Sequence, residues 1–203
     1  MNAKLCKNII FILFFIFTSS SYGDNHNSNR IEVLVNENVI TKFDIVQRMK
    51  VNSILKRTEI NENNYNQLIE AVVDDLIVES LKNHKISEYD INYGKDEFVK
   101  QEERFYVSID YKKKDLEELF YLNDINFDNL LKIIETELKW QKLIYGLFLR
   151  VTSVTDQEIN DVMIKNPNIS KEIASELILQ KQLEIKSAKL IKDLRDEATI
   201  EYK

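Results

Sequence analysis

Three glycines and one proline in 203 residues leave this chain almost nothing with which to interrupt a helix. In a helix interior, glycine costs about 1 kcal/mol and proline about 3 kcal/mol relative to alanine, so their scarcity favours long, unbroken helices. It also excludes a glycine-rich phosphate loop. The lone proline lies in Asn166-Pro167-Asn168, where the chain is expected to break. Hydrophobic residues make up 44% of the chain, enough for a packed core instead of a solvated polymer.

The first two dozen residues have the tripartite form of a secretory signal. Lys4 and Lys7 form a positive start, Ile9 to Phe17 an apolar run, and Ser21-Tyr22-Gly23 a small-residue cleavage site. The run is well short of the ~20 residues a membrane-spanning helix needs. An uncleaved anchor is the alternative, and Cys6 is misplaced for a lipoprotein anchor. Cleavage after Gly23 removes the one cysteine, so the mature chain has no disulfide and must stabilise itself by burial. Loss of Lys4 and Lys7 leaves 26 basic against 34 acidic residues, a net charge of −8. An acidic chain without a basic stripe argues against nucleic-acid partners and against anionic membrane surfaces. The expected organisation is a signal peptide over 1–23, a disordered leader over 24–30 and one domain over 31–203.

Ile31 to Val35 reads as a short strand, Asn36-Glu37-Asn38 as a turn and Val39-Ile40 as resumed strand. Helices are expected over 62–83, 92–108, 113–122 and 127–150, from Thr155 to the Pro167 break, and from Ser170 to about Asp196. In the first of these, Tyr65, Leu68, Ile69, Val72, Val73, Leu76, Ile77 and Leu81 follow the three-four spacing of one buried stripe. The 127–150 helix, capped by Asn126, carries two stripes. Leu130, Ile134, Leu138 and Tyr145 form one, and Ile133, Trp140, Ile144 and Leu147 the other, so it is expected to sit centrally. Leu177, Ile178, Ile185, Ala188, Ile191 and Leu194 are the expected inner face of the last helix.

Three segments share one pattern of apolar residue, Ser or Thr, two variable positions, acid and Ile. They are Ile40 to Ile45, Ile86 to Ile91 and Val154 to Ile159. The hydroxyl can accept from the backbone N–H three residues on, while the acid complements the helix dipole, so each predicts a helix start. Ala198 to Tyr202 alternates as a final strand. A lone strand is unstable, and the only other strand material lies at Ile31 to Ile40. Both ends of the domain are therefore expected to meet in one small sheet.

These residues resemble a known family. Val33-Leu34-Val35-Asn36-Glu37-Asn38-Val39-Ile40-Thr41, then Asp44-Ile45, resembles the V-x-V-N-x-x-V-I-T opening of the SurA N-terminal core. Leu68-Ile69 through Leu76-Ile77, Lys85-Ile86-Ser87 and Asp90-Ile91 resemble the helix that follows it. Phe148-Leu149-Arg150-Val151 through Ile159 is similar to the family's long helix and next capped start. Leu179-Gln180-Lys181 and Leu194-Arg195-Asp196-Glu197-Ala198-Thr199-Ile200 resemble its C-terminal L-R-x-x-A-x-I ending. The resemblance implies a mainly α fold, a SurA- or trigger-factor-like helical core with a small sheet joining N- and C-terminal strands. In that family, parvulin-type prolyl isomerase domains commonly precede the C-terminal helix. Here only Val162 to Ser170 separates the corresponding helices, so the resemblance implies the chaperone core without them.

No enzyme chemistry emerges from the residues. His26 and His84 lack a second His, a Cys or a spaced carboxylate in a ligand pattern, so they read as surface histidines. Asp74-Asp75 and Glu102-Glu103 are adjacent on helices, where neighbours point apart, and read as solvated. Lys112-Lys113-Lys114 reads likewise. No catalytic residue, cofactor or metal site is assigned. Function is sought in apolar surface, where Phe98, Phe105, Tyr106, Tyr111, Phe120, Tyr121 and Phe127 crowd the middle of the chain. Phe105, Tyr106, Tyr111, Phe120 and Tyr121 are the candidates for contacting a client peptide, because a Tyr ring buries area while its hydroxyl stays wet. The competing reading makes this ring set the seam between two helices.

The expected function is an ATP-independent periplasmic holdase for unfolded or extended polypeptides, outer-membrane precursors among them. A scaffold or adaptor with one dedicated partner is the alternative, and a prolyl isomerase the remote third. No integral membrane insertion is expected once the signal is removed.

Overall fold

The computed structural model describes residues 29–203. The export signal, with Lys4, Lys7 and Cys6, and His26 in the leader lie outside the described residues. Strand β1 (Ile31–Val35) turns through Asn36 and Glu37 into β2 (Asn38–Thr41). Asn36 adopts φ 54°, a left-handed conformation that Asn tolerates better than most residues. Seven α-helices follow: α1 (Lys42–Lys56), α2 (Tyr65–Ser87), α3 (Lys95–Ser108), α4 (Lys113–Leu122), α5 (Asp128–Phe148), α6 (Asp156–Lys165) and α7 (Lys171–Glu197). A 3₁₀ turn, Leu149–Val151, extends α5, and β3 (Ile200–Tyr202) ends the chain. The fold is mainly α, as expected.

The sheet has the order β2-β1-β3 and both pairings are antiparallel. Val33 lies opposite Ile40 on one side and Tyr202 on the other, so the first and last strands of the domain meet as the alternation predicted. Val33 and Val35 are 1% and 0% exposed and pack with Ile45, Met49, Val72, Ile77 and Leu81 in a first core. Leu194, Ala198 and Ile200 close this core from the C-terminal side. Full burial of such a side chain contributes about 1.5–3 kcal/mol.

Two of the three expected helix starts form. Thr41 N–H donates to Asp44 Oδ2 at 2.8 Å and Asp44 N–H returns to Thr41 Oγ1 at 3.2 Å. Thr155 and Glu158 repeat the exchange at 2.8 and 3.3 Å. At Ser87 the expectation fails. Ile86 is buried against Trp140, Leu143 and Ile144 in a third core, which carries α2 on to Ser87. The Ser87 hydroxyl therefore donates back to the His84 carbonyl at 2.6 Å instead of capping a new helix. Helix α3 starts later, where Gly94 N–H donates to Glu97 Oε2 at 2.8 Å. The N-cap of α5 is Phe127, not Asn126 as expected; Asn126 lies one residue earlier, where its Oδ1 accepts from Asp128 N–H at 2.9 Å.

Helix α5 is central and contacts α2, α3 and α7. Its Leu130 and Ile134 fill a second core with Val51, Tyr106, Leu116, Phe120 and Ile125, while Trp140, Leu143 and Ile144 enter the third. Tyr145 of the expected stripe stands exposed, as does Tyr65 at the head of α2.

The inner face of α7 is corrected more deeply. Its N-terminal part packs Ala174 and Ile178 against Ile159 of α6. Further along, Leu183, Leu190, Ile191 and Leu194 turn a different face to the third core, and Ser187 Oγ accepts from the Trp140 indole at 2.8 Å. Two partners on two faces leave Leu177, Ile185 and Ala188 exposed.

Candidate functional site

Helix α2 changes character along one face. Leu76, Ser80, Asn83 and Ser87 follow four-three-four spacing and so share that face, but after Leu76 its side chains are short and polar. Where they shorten, α1 and α5 do not close over α2, and a hollow of about 540 Å³ opens. Its walls include Val39 and Ile40 of β2, Phe43 and Arg48 of α1, and Asn129 and Lys132 of α5. A second hollow of about 480 Å³ continues toward Tyr89, Asp90 and Ile91. Glu79, Asn83, Ser87 and Lys132 line both, so the two form one groove. Its volume falls in the range of ligand-binding clefts.

Most charges in the groove are already engaged. Asp44 is held in the Thr41 cap, and Arg48 and Glu79 neutralise each other. Glu135 is bound by Lys139 at 2.7 Å and accepts from the Tyr93 hydroxyl at 2.7 Å. The lysine contact, then the tyrosine contact, hold the Glu135 carboxyl below the usual carboxylate range. Asp90 accepts from the Asn92 amide at the far end. Lys132 has no carboxylate within ion-pair distance among the described residues. Asn83 Oδ1 accepts from Thr136 Oγ1 at 3.0 Å, while the Ser80 hydroxyl is closed to solvent and has no partner among the described residues. The groove thus offers the Asn83 amide, an exposed phenyl ring at Phe43 and, in Lys132, a cation unpaired among the described residues.

None of the five aromatic candidates lines this groove. Phe120 is 0% exposed and meets Phe127 edge to face, with centroids 5.4 Å apart. Tyr106 is buried, and its hydroxyl donates to Glu102 Oε1 at 2.8 Å. Burial, then that carboxylate, raise the Tyr106 pKa. Phe105 is half-buried on the same core. Tyr111 donates to the Ile54 carbonyl at 3.2 Å beneath the Arg57 guanidinium. Tyr121 alone stands free, 82% exposed beside the exposed Leu122.

One charge reading is corrected by packing. Glu102 is buried, not solvated, because Tyr106 and Lys113 both reach it, the latter at 3.1 Å. Lys113 makes this contact while remaining exposed, as expected of the lysine run. Asp74 and Asp75 are both exposed, as expected, with Asp74 paired to Arg195 and Asp75 accepting from Asn52 at the surface. His84 is exposed and lines the groove. No group of three metal-ligating side chains occurs among the described residues. Among them, too, no helix is long and apolar enough to cross a membrane.

Sequence reasoning missed the groove because Ser80, Asn83 and Ser87 read as ordinary polar positions. The available signal was their place on the continuation of an apolar stripe.

No family model matches the chain. Over 169 residues it is 28% identical to "Chaperone SurA" of Buchnera aphidicola subsp. Acyrthosiphon pisum (strain APS). The alignment takes in 80% of this chain and 38% of that protein, so the chain spans well under half of its relative's length. Over most of its own length, then, this mainly helical chain is similar to part of a protein named for a chaperone.

Proposed function

We propose that the protein is an ATP-independent holdase that keeps unfolded envelope proteins, outer-membrane precursors among them, soluble in the periplasm. The observation that carries the reading is the similarity to a chaperone over 80% of the chain. The open groove beside β2 and the exposed rings of Phe43 and Tyr121 support it, because weak contacts to many sequences need accessible apolar surface next to unused hydrogen-bonding groups. In this reading Phe105, Tyr106, Tyr111 and Phe120 consolidate the second core, and Tyr121 meets the client. Release follows client folding or hand-off.

The chain acts without isomerase chemistry in this reading. Only residues 166–170 join α6 to α7, which leaves no space there for a parvulin module. Residues 1–23 direct export.

The test is an aggregation assay with urea-diluted outer-membrane β-barrel precursors and the purified protein. Suppression at near-stoichiometric ratios without ATP is expected. A well-folded protein that suppresses nothing sinks the holdase reading and favours a single dedicated partner, to be sought by pull-down. A protease-coupled proline isomerisation assay should show no acceleration.

A further inference from the structure

Helix α7 has a face that no other element covers. Its N-terminal part is packed by α6 and its later part by α5. Between those two sides Ile173, Leu177 and Ile185 stand 50%, 49% and 61% exposed. Leu177, Lys181, Glu184 and Ala188 follow four-three-four spacing, so they share one face, and all four are exposed. Ile173 extends that face by one turn, and Ile185 flanks its centre, one turn from Lys181 and from Ala188. From Ile173 to Ala188 the stripe runs about 22 Å at the helical rise of 1.5 Å per residue. Aliphatic side chains gathered on one stripe, unlike scattered ones, mark a contact surface.

Charge narrows the occupant. The centre of the stripe holds Lys181 and Glu184, and neither is in an ion pair among the described residues. Glu184 accepts from the Gln180 amide alone, at 3.3 Å. The order of residues is its own complement about the point midway between Gln182 and Leu183. Lys181 and Glu184 are equidistant from that point, and so are Leu177 and Ala188. A second α7 laid antiparallel across it therefore sets Lys181 of each copy against Glu184 of the other. Each Leu177 then meets a small Ala188, and each Ile173 falls opposite Lys192, whose aliphatic stem can cover it. A parallel copy in register would oppose like charges instead.

We infer that this stripe is a self-association surface, on which a second copy of the chain docks its own α7 antiparallel about a two-fold axis. The contact is isologous, the commonest arrangement in oligomers. One helix pair is smaller than a standard interface of about 1,600 Å², so the dimer is weak and set by concentration. The inference is independent of the holdase reading.

The test is sedimentation of the purified protein over a range of concentrations at low salt, where a monomer–dimer equilibrium is expected. High salt should weaken it, because the central contacts are exposed ion pairs. The two-fold makes every substitution act twice. Lys181→Glu alone, or Glu184→Lys alone, should weaken the dimer about tenfold, the scale of losing two exposed pairs. An unchanged circular dichroism spectrum shows that each variant keeps its helices. An equimolar mixture of the two variants should dimerise as tightly as the native chain, since every contact between positions 181 and 184 then joins Glu to Lys. A monomer at every concentration would give the stripe to a different protein and overturns the inference. So does a dimer indifferent to both reversals, or a mixture that associates no better than its components. The holdase reading stands or falls separately on the aggregation assay.

Discussion

Asn36 and Thr199, 163 residues apart, are joined by a reciprocal pair of hydrogen bonds. Asn36 N–H donates to the Thr199 carbonyl at 2.8 Å, and Thr199 N–H donates to Asn36 Oδ1 at 2.9 Å. The second bond depends on the Asn side chain, and the left-handed φ of 54° aims it. This clasp lies where the β1–β2 turn meets the segment leading into β3, so it fastens the third strand to the first hairpin.

Asn36→Ala removes the acceptor and places a less tolerant residue at positive φ, and should cost about 2 kcal/mol. Asn36→Gly relieves the backbone but not the lost bond, and should cost about 1 kcal/mol. Urea denaturation followed by circular dichroism separates the two. Equal losses would mean that the backbone conformation carries no weight.

The contrast between the formed and unformed helix starts is measurable. Thr155→Ala should cost about 1 kcal/mol, because the hydroxyl caps α6. Ser87→Ala should stay within about 0.5 kcal/mol, because that hydroxyl only bonds back into its own helix. A loss at Ser87 as large as that at Thr155 would contradict the observed extent of α2.

Acid should find the α6 start early. The Thr155 backbone N–H, then its hydroxyl, lower the Glu158 pKa from its usual 4.5. A depressed folded pKa means that its stabilisation is complete above pH 4.5 and is lost as pH falls through the lower folded value. Glu158→Gln should therefore be less stable than the native protein at pH 7, and the difference should shrink as pH drops below 4.5. Urea midpoints of both proteins from pH 7 to pH 3 give the comparison.

Adjacent aromatics at 120 and 121 should behave oppositely. Phe120→Ala empties a fully buried site and should cost about 3–5 kcal/mol. Tyr121→Ala should change stability by less than about 0.5 kcal/mol, yet lower client affinity in the aggregation assay. Unchanged suppression by the Tyr121 variant would remove that ring from client contact.

The chain's local grammar is read correctly wherever the interaction spans only a few residues. Thr41 with Asp44 and Thr155 with Glu158 close over three residues, and the strand alternation at Ile31 to Val35 and the break at Pro167 need no distant partner. The scarcity of glycine and proline makes long helices the outcome almost regardless of packing.

What only the tertiary structure decided has non-local causes. The Ser87 motif has the same local chemistry as its two counterparts, but burying Ile86 against Trp140 outweighs a cap worth about 1 kcal/mol. Helix α7 carries apolar residues on several faces, and α6 and α5 choose different ones, stranding Leu177 and Ile185 in solvent. The groove is the clearest case. Ser80 and Lys132 are far apart in the chain, and nothing near either announces the other. They line one hollow because α5 packs across α2 where the side chains of α2 become too short to fill the space between them.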